Sequence, residues 1–164
     1  MSKYYIAYGS NLNIPQMRRR CSEAKIVGTG EIKNYELLFK GSKTGSYLTI
    51  EPKAGATVPV AIWKVTDGDE TNLDLYEGYP RFYYKKEMRI RCKYLRSGLT
   101  KTINAFVYIM HEERQLGIPT PSYVRTCIKG YREFNFDEEY IYEAIYKSIN
   151  AIEKGAELYE RLFQ

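Results

Sequence analysis

The sequence predicts a mixed α+β fold, in which about six β-strands form a sheet or barrel and helices are concentrated after residue 120. Segments rich in β-branched and aromatic residues fill much of the chain up to Met110. From Pro121 onward, apolar residues recur at helical spacing. Neither an internal repeat nor a low-complexity linker interrupts the 164 residues, a length that suits one domain. We therefore expect a single domain over residues 1–164, with its sheet or barrel over about 1–115 and its helical part over about 120–164.

Hydrophobic patterning locates the strands. We expect them at residues 4–8, 26–27, 32–39, 46–51, 58–65, 84–94 and 100–110. The segment 84–94 alternates between apolar and charged residues, which is typical of a strand with one face in the core and one in solvent. Residues 41–45 begin and end with glycine and predict a turn.

Capping signals mark the helices. Asn13 is suited to cap a short helix, and Thr66 precedes an acidic first turn that begins a second one, with Leu73 and Tyr76 on one face. Pro121 opens a third helix, which we expect Gly130 to help end. The longest helix follows an acidic stretch, and its apolar stripe consists of Ile141, Ala144, Ile145, Ile149 and Ile152.

The charge is only mildly basic. The chain has 25 Lys and Arg against 20 Asp and Glu, a formal net charge of +5. Basic residues cluster at 18–20 and along 85–93, but the second group alternates with apolar residues and so indicates the outer face of a strand. We interpret both groups as solvated surface and expect no nucleic-acid partner.

Cysteine and histidine usage argues against several kinds of site. Cys21, Cys92 and Cys127 are widely spaced, with no CxxC pair and no neighbouring histidine, so we expect buried, reduced thiols and no metal. His111 is the only histidine and the single candidate for a histidine-based triad.

The N-terminal segment lacks a signal-like pattern, and no run approaches the roughly 20 apolar residues of a membrane helix, so we expect a cytoplasmic protein without a membrane partner.

A polar turn follows the first predicted strand. Gly9 permits a tight turn between residues 4–8 and the helix capped by Asn13, and the turn leaves the amides of residues 9–12 pointing outward. Free amides beside a helix start favour an anion, or a carbonyl oxygen that gains negative charge during a reaction. The alternative is an ordinary strand-turn-helix corner that binds nothing.

Glu77 is the carboxylate most suited to chemistry. It ends the second helix in an apolar and aromatic setting formed by Leu73, Leu75, Tyr76, Tyr79, Phe82, Tyr83 and Tyr84. Withdrawal from water favours the neutral form of a carboxyl group and moves its pKa toward neutrality, which suits a group that takes a proton and returns it. The alternative is an exposed glutamate at a helix end.

Other kinds of catalytic or phosphate site have little support in the sequence. Ser10 has no adjacent base, and neither a nucleophile elbow nor a phosphate-binding glycine loop is present.

Two motifs together resemble the γ-glutamylcyclotransferase-like (AIG2-like) family. Its first-strand turn matches Tyr-Gly-Ser-Asn-Leu at residues 8–12, and its glutamate segment matches Leu-Asp-Leu-Tyr-Glu-Gly-Tyr-Pro at residues 73–80. A third segment, Pro-Thr-Pro-Ser-Tyr at residues 119–123, is similar to a later family motif that ends in a substrate-contacting tyrosine. The resemblance therefore extends over nearly the whole chain.

The resemblance implies a small mixed β-barrel flanked by helices and an enzyme that needs no cofactor. The α-amine of a γ-glutamyl group would attack its own γ-carbonyl, releasing 5-oxoproline and a free amine or amino acid, with Glu77 as general acid and base. Either Tyr83 or Tyr84 could supply the aromatic residue after Glu77, and we choose Tyr84. The implied substrate-binding residues are Tyr5, Ile6, Ala7, Tyr8, Gly9, Ser10, Asn11, Leu12, Tyr84 and Tyr123.

Two other functional classes remain open at this stage. A non-catalytic member of the same fold could bind a small ligand or a partner, although a pure binding module has no need of a desolvated carboxylate facing the turn. A nucleic-acid-binding module is third, since its only support is mild basicity and the 17 tyrosines. The sequence leaves the leaving amine and the oligomeric state open.

Overall fold

The structure is a computed structural model that describes residues 2–42 and 45–163. These residues form six strands: β1 (Lys3–Ala7), β2 (Lys25–Ser42), β3 (Gly45–Val65), β4 (Tyr83–Tyr94), β5 (Thr100–Met110) and β6 (Gln115–Leu116). They also form four α-helices: α1 (Ile14–Arg20), α2 (Asp67–Glu77), α3 (Pro121–Glu133) and α4 (Glu139–Phe163). A single 3₁₀ turn, Ser10–Leu12, lies between β1 and α1.

Five of the strands close into a barrel. The order β3-β1-β5-β4-β2 becomes a ring because β2 also pairs with β3, and β6 adds to the edge of β2. Strand β1 runs parallel to β5, with Tyr5 opposite Phe106, while the other pairings are antiparallel. The predicted mixed α+β barrel flanked by helices is therefore confirmed.

The hairpin of β2 and β3 is longer than the pattern predicts. The segments expected at 26–27 and 32–39 belong to one strand, and β3 runs from Gly45 through the expected break to Val65. The pairing of the two strands is irregular at two places, between Ile26 and Gly28 and between Lys33 and Tyr35, and Asn34 at the second place has a φ of 62°. Of the turn expected at 41–45, Gly41 and Gly45 belong to the strands, and residues 43–44 lie outside the described residues.

Local signals start the first two helices where expected. The Asn13 side chain accepts a hydrogen bond from the amide of Gln16 (3.1 Å) at the start of α1. Thr66 and Asp69 form a capping box that starts α2. Gly78 ends α2 with a left-handed φ of 61°, a conformation that costs glycine little. Leu73 is buried as expected, but Tyr76, expected on the same face, is 59% exposed and lines the cavity described below.

Gly130 does not end α3. The helix continues through it to Glu133, and Gly130 is buried against the backbone of Leu12 and Asn13. A Cβ at position 130 would lie 2.6 Å from the Asn13 nitrogen, so this glycine serves close packing of α3 on the first turn. In α4, Ile141 and Ala144 are buried, whereas Ile152 is half exposed and residues 151–163 are all exposed. The apolar stripe expected there therefore leaves the core before its end.

Other predicted properties concern single residues. The three cysteines are buried and unpaired. Within residues 2–42 and 45–163, no group of three or more His, Cys, Asp or Glu side chains is arranged to hold a metal ion. No helix in this part of the chain is long and apolar enough to cross a membrane.

Candidate active site

A cavity of about 570 Å³ opens where the first turn meets the end of α2. Its walls come from β1, the first turn, α1, β3, α2, β4, β5 and α3, so that residues far apart in the sequence meet there. The described residues that line it are Tyr5, Tyr8, Gly9, Ser10, Asn11, Arg20, Tyr47, Leu48, Leu75, Tyr76, Glu77, Gly78, Phe82, Tyr83, Tyr108 and Tyr123.

The first turn presents backbone donors to this cavity, although fewer than expected. The Leu12 amide donates to the Gly9 carbonyl oxygen (3.0 Å), and the Asn13 amide donates to that of Ser10 (3.0 Å), which closes the 3₁₀ turn. The amides of Ser10 and Asn11 have no acceptor among the described residues. These two unpaired amides belong to residues that line the cavity.

Side chains of β1 and α1 hold this turn in place. The Asn11 amide nitrogen donates to the Tyr5 hydroxyl (2.9 Å) on β1. From the last turn of α1, Arg20 Nη1 donates to Asn11 Oδ1 (2.7 Å) and to Ser10 Oγ (3.3 Å). The Arg20 guanidinium also lies 4.4 Å from the centre of the Tyr76 ring of α2. Arg20 therefore connects the turn to the end of the helix that carries Glu77.

Glu77 brings an ionisable carboxyl into the cavity. No described residue donates a hydrogen bond to this carboxyl or forms an ion pair with it. Withdrawal from water raises the pKa of Glu77 from 4.5 to about 7, and the positive charge of Arg20 opposes this rise. Near neutral pH such a group exchanges a proton readily in either direction.

Buried tyrosines complete the walls. Tyr83 donates to the Leu48 carbonyl oxygen (2.8 Å), and the Tyr123 hydroxyl accepts from the Leu48 amide (3.2 Å). Tyr8 donates to the backbone carbonyl of Tyr108 (2.7 Å). Burial raises the pKa of Tyr8, Tyr83 and Tyr123 well above its usual value, so these hydroxyls stay neutral. They shape the cavity and offer hydroxyl oxygens rather than exchange protons.

Only some of the residues named from the sequence line the cavity. Those that do are Glu77, Tyr5, Tyr8, Gly9, Ser10, Asn11 and Tyr123. Ile6, Ala7 and Leu12 pack in the core behind the turn. Tyr84 lies outside the cavity, where its hydroxyl bonds the Glu112 carboxylate, whereas Tyr83 lines the cavity. The two tyrosines differ because successive residues of a strand face opposite sides.

The structure adds residues that sequence reasoning missed. Arg20 was assigned to a solvated basic run, but Arg18 and Arg19 are exposed while Arg20 turns toward the cavity. Helical spacing points the three arginines in different directions, since consecutive helix residues are about 100° apart, but it does not show which of them faces the cavity. Tyr47, Leu48 and Tyr108 come from distant strands, and no local signal marks them. His111 contacts the Pro80 carbonyl (2.7 Å) and does not line the cavity.

Structural comparison places this barrel among known proteins. It is similar to a structure described as gamma-glutamyl cyclotransferase, with 24% identity, a TM-score of 0.75, and coverage of 88% of this chain and 86% of that one. An uncharacterized human protein is 26% identical, with a TM-score of 0.74 over 87% of this chain and 86% of its own. A yeast gamma-glutamyl cyclotransferase specific to glutathione is 12% identical, with a TM-score of 0.53 over 90% of this chain and 99% of its own.

The closed mixed barrel and its cavity thus define a protein of the cyclotransferase fold class. A family model described as gamma-glutamyl cyclotransferase, AIG2-like, matches residues 5–125, which include the first turn, Glu77 and Tyr123. The chain belongs to this family, as the two sequence motifs predicted. Among curated proteins, none matches the chain in sequence.

Proposed function

We propose that this protein is a γ-glutamylcyclotransferase, which converts a γ-glutamyl substrate into 5-oxoproline and a free amine or amino acid. One observation carries the proposal: the desolvated Glu77 carboxyl and the free amides of Ser10 and Asn11 line one cavity. The family to which the chain belongs supports the same class of activity.

The reaction needs one group that first accepts a proton and then donates it. Ionised Glu77 accepts a proton from the α-ammonium of the substrate, which frees the nitrogen lone pair. This nitrogen attacks the γ-carbonyl carbon, and the carbonyl electron pair moves to its oxygen. When the tetrahedral intermediate collapses, Glu77 returns the proton to the leaving nitrogen and the bond to that nitrogen breaks. The ring nitrogen still carries one extra proton from the former ammonium and gives it to Glu77, which passes it to the released amine, so that a neutral lactam and an ammonium ion are the products. The step is an internal acyl transfer without net consumption of water or oxidant, and Glu77 ends as it began.

The first turn stabilises the charge that develops during this step. The unpaired amides of Ser10 and Asn11 are donors for the oxyanion of the intermediate, and removal of one such donor typically costs about 3 to 4 kcal/mol of transition-state stabilisation. Because nucleophile and electrophile belong to the same substrate, holding the γ-glutamyl chain in a folded conformation lowers the barrier further. The enclosing tyrosines Tyr8, Tyr83 and Tyr123 restrict that conformation.

The substrate class is a γ-glutamyl amino acid or a γ-glutamyl amine. The Tyr-Gly-Ser-Asn form of the turn resembles the branch that acts on γ-glutamyl amino acids most closely. Beyond the turn, the cavity wall is largely aromatic, with Tyr47 and Phe82 edge to face at 6.2 Å between ring centres. Such a wall suits an apolar leaving group.

The test is release of 5-oxoproline, measured by mass spectrometry, from γ-glutamyl amino acids, glutathione and γ-glutamyl amines. Glu77→Gln should abolish release while the fold stays intact, because the amide cannot accept the α-ammonium proton. Glu87→Gln is the matched control, since Glu87 is exposed on β4 and does not line the cavity. Full activity of Glu77→Gln would refute the mechanism, and no release from any substrate would favour a ligand-binding member of the fold.

A further inference from the structure

The described residues that line the cavity include one cation and one carboxyl group. These are Arg20 at the end of α1 and Glu77 at the end of α2. The two groups are close enough to influence each other electrostatically, yet they do not form an ion pair. A space with a positive charge on one side and a carboxyl group on the other is complementary to a ligand that carries both charges itself.

The α-carbon of a γ-glutamyl group has this character, because it bears an ammonium and a carboxylate. When Glu77 faces the ammonium, the carboxylate on the same carbon must lie within a few ångströms of it. We propose, on the basis of the function proposed above, that Arg20 binds the α-carboxylate of the γ-glutamyl substrate. It is thereby the residue that selects a complete γ-glutamyl group over an acyl chain without the carboxylate.

Arg20 is held in place for this role. Its Nη1 is fixed by Asn11 Oδ1 and Ser10 Oγ, and the plane of its guanidinium is supported by the Tyr76 ring. Gln16, one turn earlier, can accept from the same guanidinium once its side-chain amide is rotated. A guanidinium carries five N–H donors, so these contacts orient the group while its charge still faces the cavity. An oriented guanidinium binds a carboxylate at lower entropic cost than a mobile lysine does.

The other described lining residues supply no second cation. They include Tyr47, Phe82 and Leu75, and none of them is basic. A carboxylate on the leaving group therefore finds no cation besides Arg20 among the described lining residues. Arg20 therefore binds the α-carboxylate of the substrate, which remains as the carboxylate of 5-oxoproline.

A cycle of enzyme variants and substrates tests the proposal. Initial rates are measured for a γ-glutamyl amine and for the same compound with its α-carboxylate converted to a carboxamide. A charge-assisted contact predicts that the wild type prefers the carboxylate in kcat/KM by about 10- to 100-fold. Arg20→Met should lose this preference, and Arg20→Lys, which keeps the charge, should retain part of it.

Two controls distinguish binding of the α-carboxylate by Arg20 from a purely structural role of Arg20 in holding the first turn. Arg19→Met removes an exposed arginine of the same helix and should retain the full preference. If Arg20 only positioned the turn, Arg20→Met would slow both substrates by the same factor and leave the preference unchanged. That result would overturn the proposal, and thermal unfolding of each variant would show whether the fold is intact.

A binding measurement keeps the proposal independent of turnover. L-5-oxoproline and 2-pyrrolidinone are the same lactam with and without the carboxylate, and NMR titration of the wild type should show clear preference for 5-oxoproline. Arg20→Met should abolish this preference, whereas Glu77→Gln should preserve it. Equal binding of the two lactams, or binding of neither, would overturn the role of Arg20. Arg20-dependent binding without any 5-oxoproline release would retain that role and reject the proposed activity.

Discussion

The side-chain amide of Asn11 donates a hydrogen bond of 2.9 Å to the hydroxyl of Tyr5, and both residues are buried. This bond joins the first strand to the turn at the cavity wall. The side-chain oxygen of Asn11 accepts a hydrogen bond from Arg20. The orientation of the Asn11 amide is therefore set by a donor and an acceptor at once.

Tyr5→Phe should destabilise the protein by about 1 to 3 kcal/mol, because it leaves the buried Asn11 nitrogen without an acceptor. Chemical denaturation measures the change in the free energy of unfolding. Tyr146→Phe is the control, since the Tyr146 ring is exposed on α4. Equal stability of the two variants would show that the bond contributes nothing net.

The pH dependence of turnover should follow Glu77. Since the carboxyl must be ionised to accept the first proton, kcat/KM should rise with pH through an apparent pKa of about 7, the value that desolvation gives this group. Arg20→Met removes the charge that opposes the rise and should move this limb to higher pH. The other titratable groups that face Glu77, namely Tyr5, Tyr8, Tyr83, Tyr108 and Tyr123, are neutral in this range because burial raises their pKa. A limb that stays near pH 4.5 in the wild type would exclude Glu77 as the titrating base.

The same pKa predicts a cost in stability. In the unfolded chain the Glu77 carboxyl ionises near its ordinary 4.5, whereas in the folded protein it holds its proton until about 7. The folded state binds more protons between these values, so the free energy of unfolding falls as pH rises from 4.5 to 7. The full difference corresponds to about 3 kcal/mol above pH 7.

Glu77→Gln lacks this titration. The variant should therefore become more stable than the wild type across that pH range, by up to about 3 kcal/mol, and the gain should level off above pH 7. Urea denaturation of both proteins at several pH values measures it. A constant difference from pH 4 to pH 8 would contradict the prediction.

Adjacent tyrosines of β4 provide a matched pair for the cavity wall. Tyr83→Phe removes the donor to the Leu48 carbonyl and should lower kcat/KM about tenfold, since one lost hydrogen bond at the wall is worth about 1 to 1.5 kcal/mol. Tyr84→Phe removes a contact to Glu112 on the other side of the strand and should change kcat/KM by less than about twofold. Steady-state kinetics decide, and a larger loss for Tyr84→Phe would return the site to that residue.

Alanine substitutions at Gly130 and Gly155 distinguish the effect of close packing from that of helix propensity. Gly130→Ala places a methyl group 2.6 Å from the backbone of Leu12 and Asn13 and should destabilise the fold by about 1 to 3 kcal/mol. Gly155→Ala meets nothing within 4 Å in the exposed end of α4 and should stabilise the protein by about 0.5 to 1 kcal/mol. Thermal melts of the two variants should shift in opposite directions, and shifts of the same sign would contradict the packing argument.

Sequence reasoning succeeded where a local pattern determines the structure. The caps at Asn13 and Thr66 and the alternation of β4 each depend on residues within one turn or one strand. The position of Glu77 at the end of α2 follows from the glycine after it. The family was recognised because its two motifs are themselves such local segments.

The rest depends on contacts between distant parts of the chain. Whether Tyr83 or Tyr84 faces the cavity is set by the register of β4 against β5, which an isolated sequence leaves open. Glycine is common at helix ends, but Gly130 lies inside α3 and is buried because α3 packs on the first turn. Arg20 carries no mark that distinguishes it from Arg18 and Arg19 until α1 is placed against Asn11.

The raised pKa of the Glu77 carboxyl also makes this site a target for selective chemical labelling. Diazo reagents esterify protonated carboxylic acids and leave carboxylates untouched. At about pH 6 a carboxyl with the ordinary value near 4.5 is almost entirely ionised, while Glu77 remains mostly protonated. A covalent probe of this kind would mark the cavity selectively, and it would report without any substrate whether the cavity is open in a given preparation of the protein.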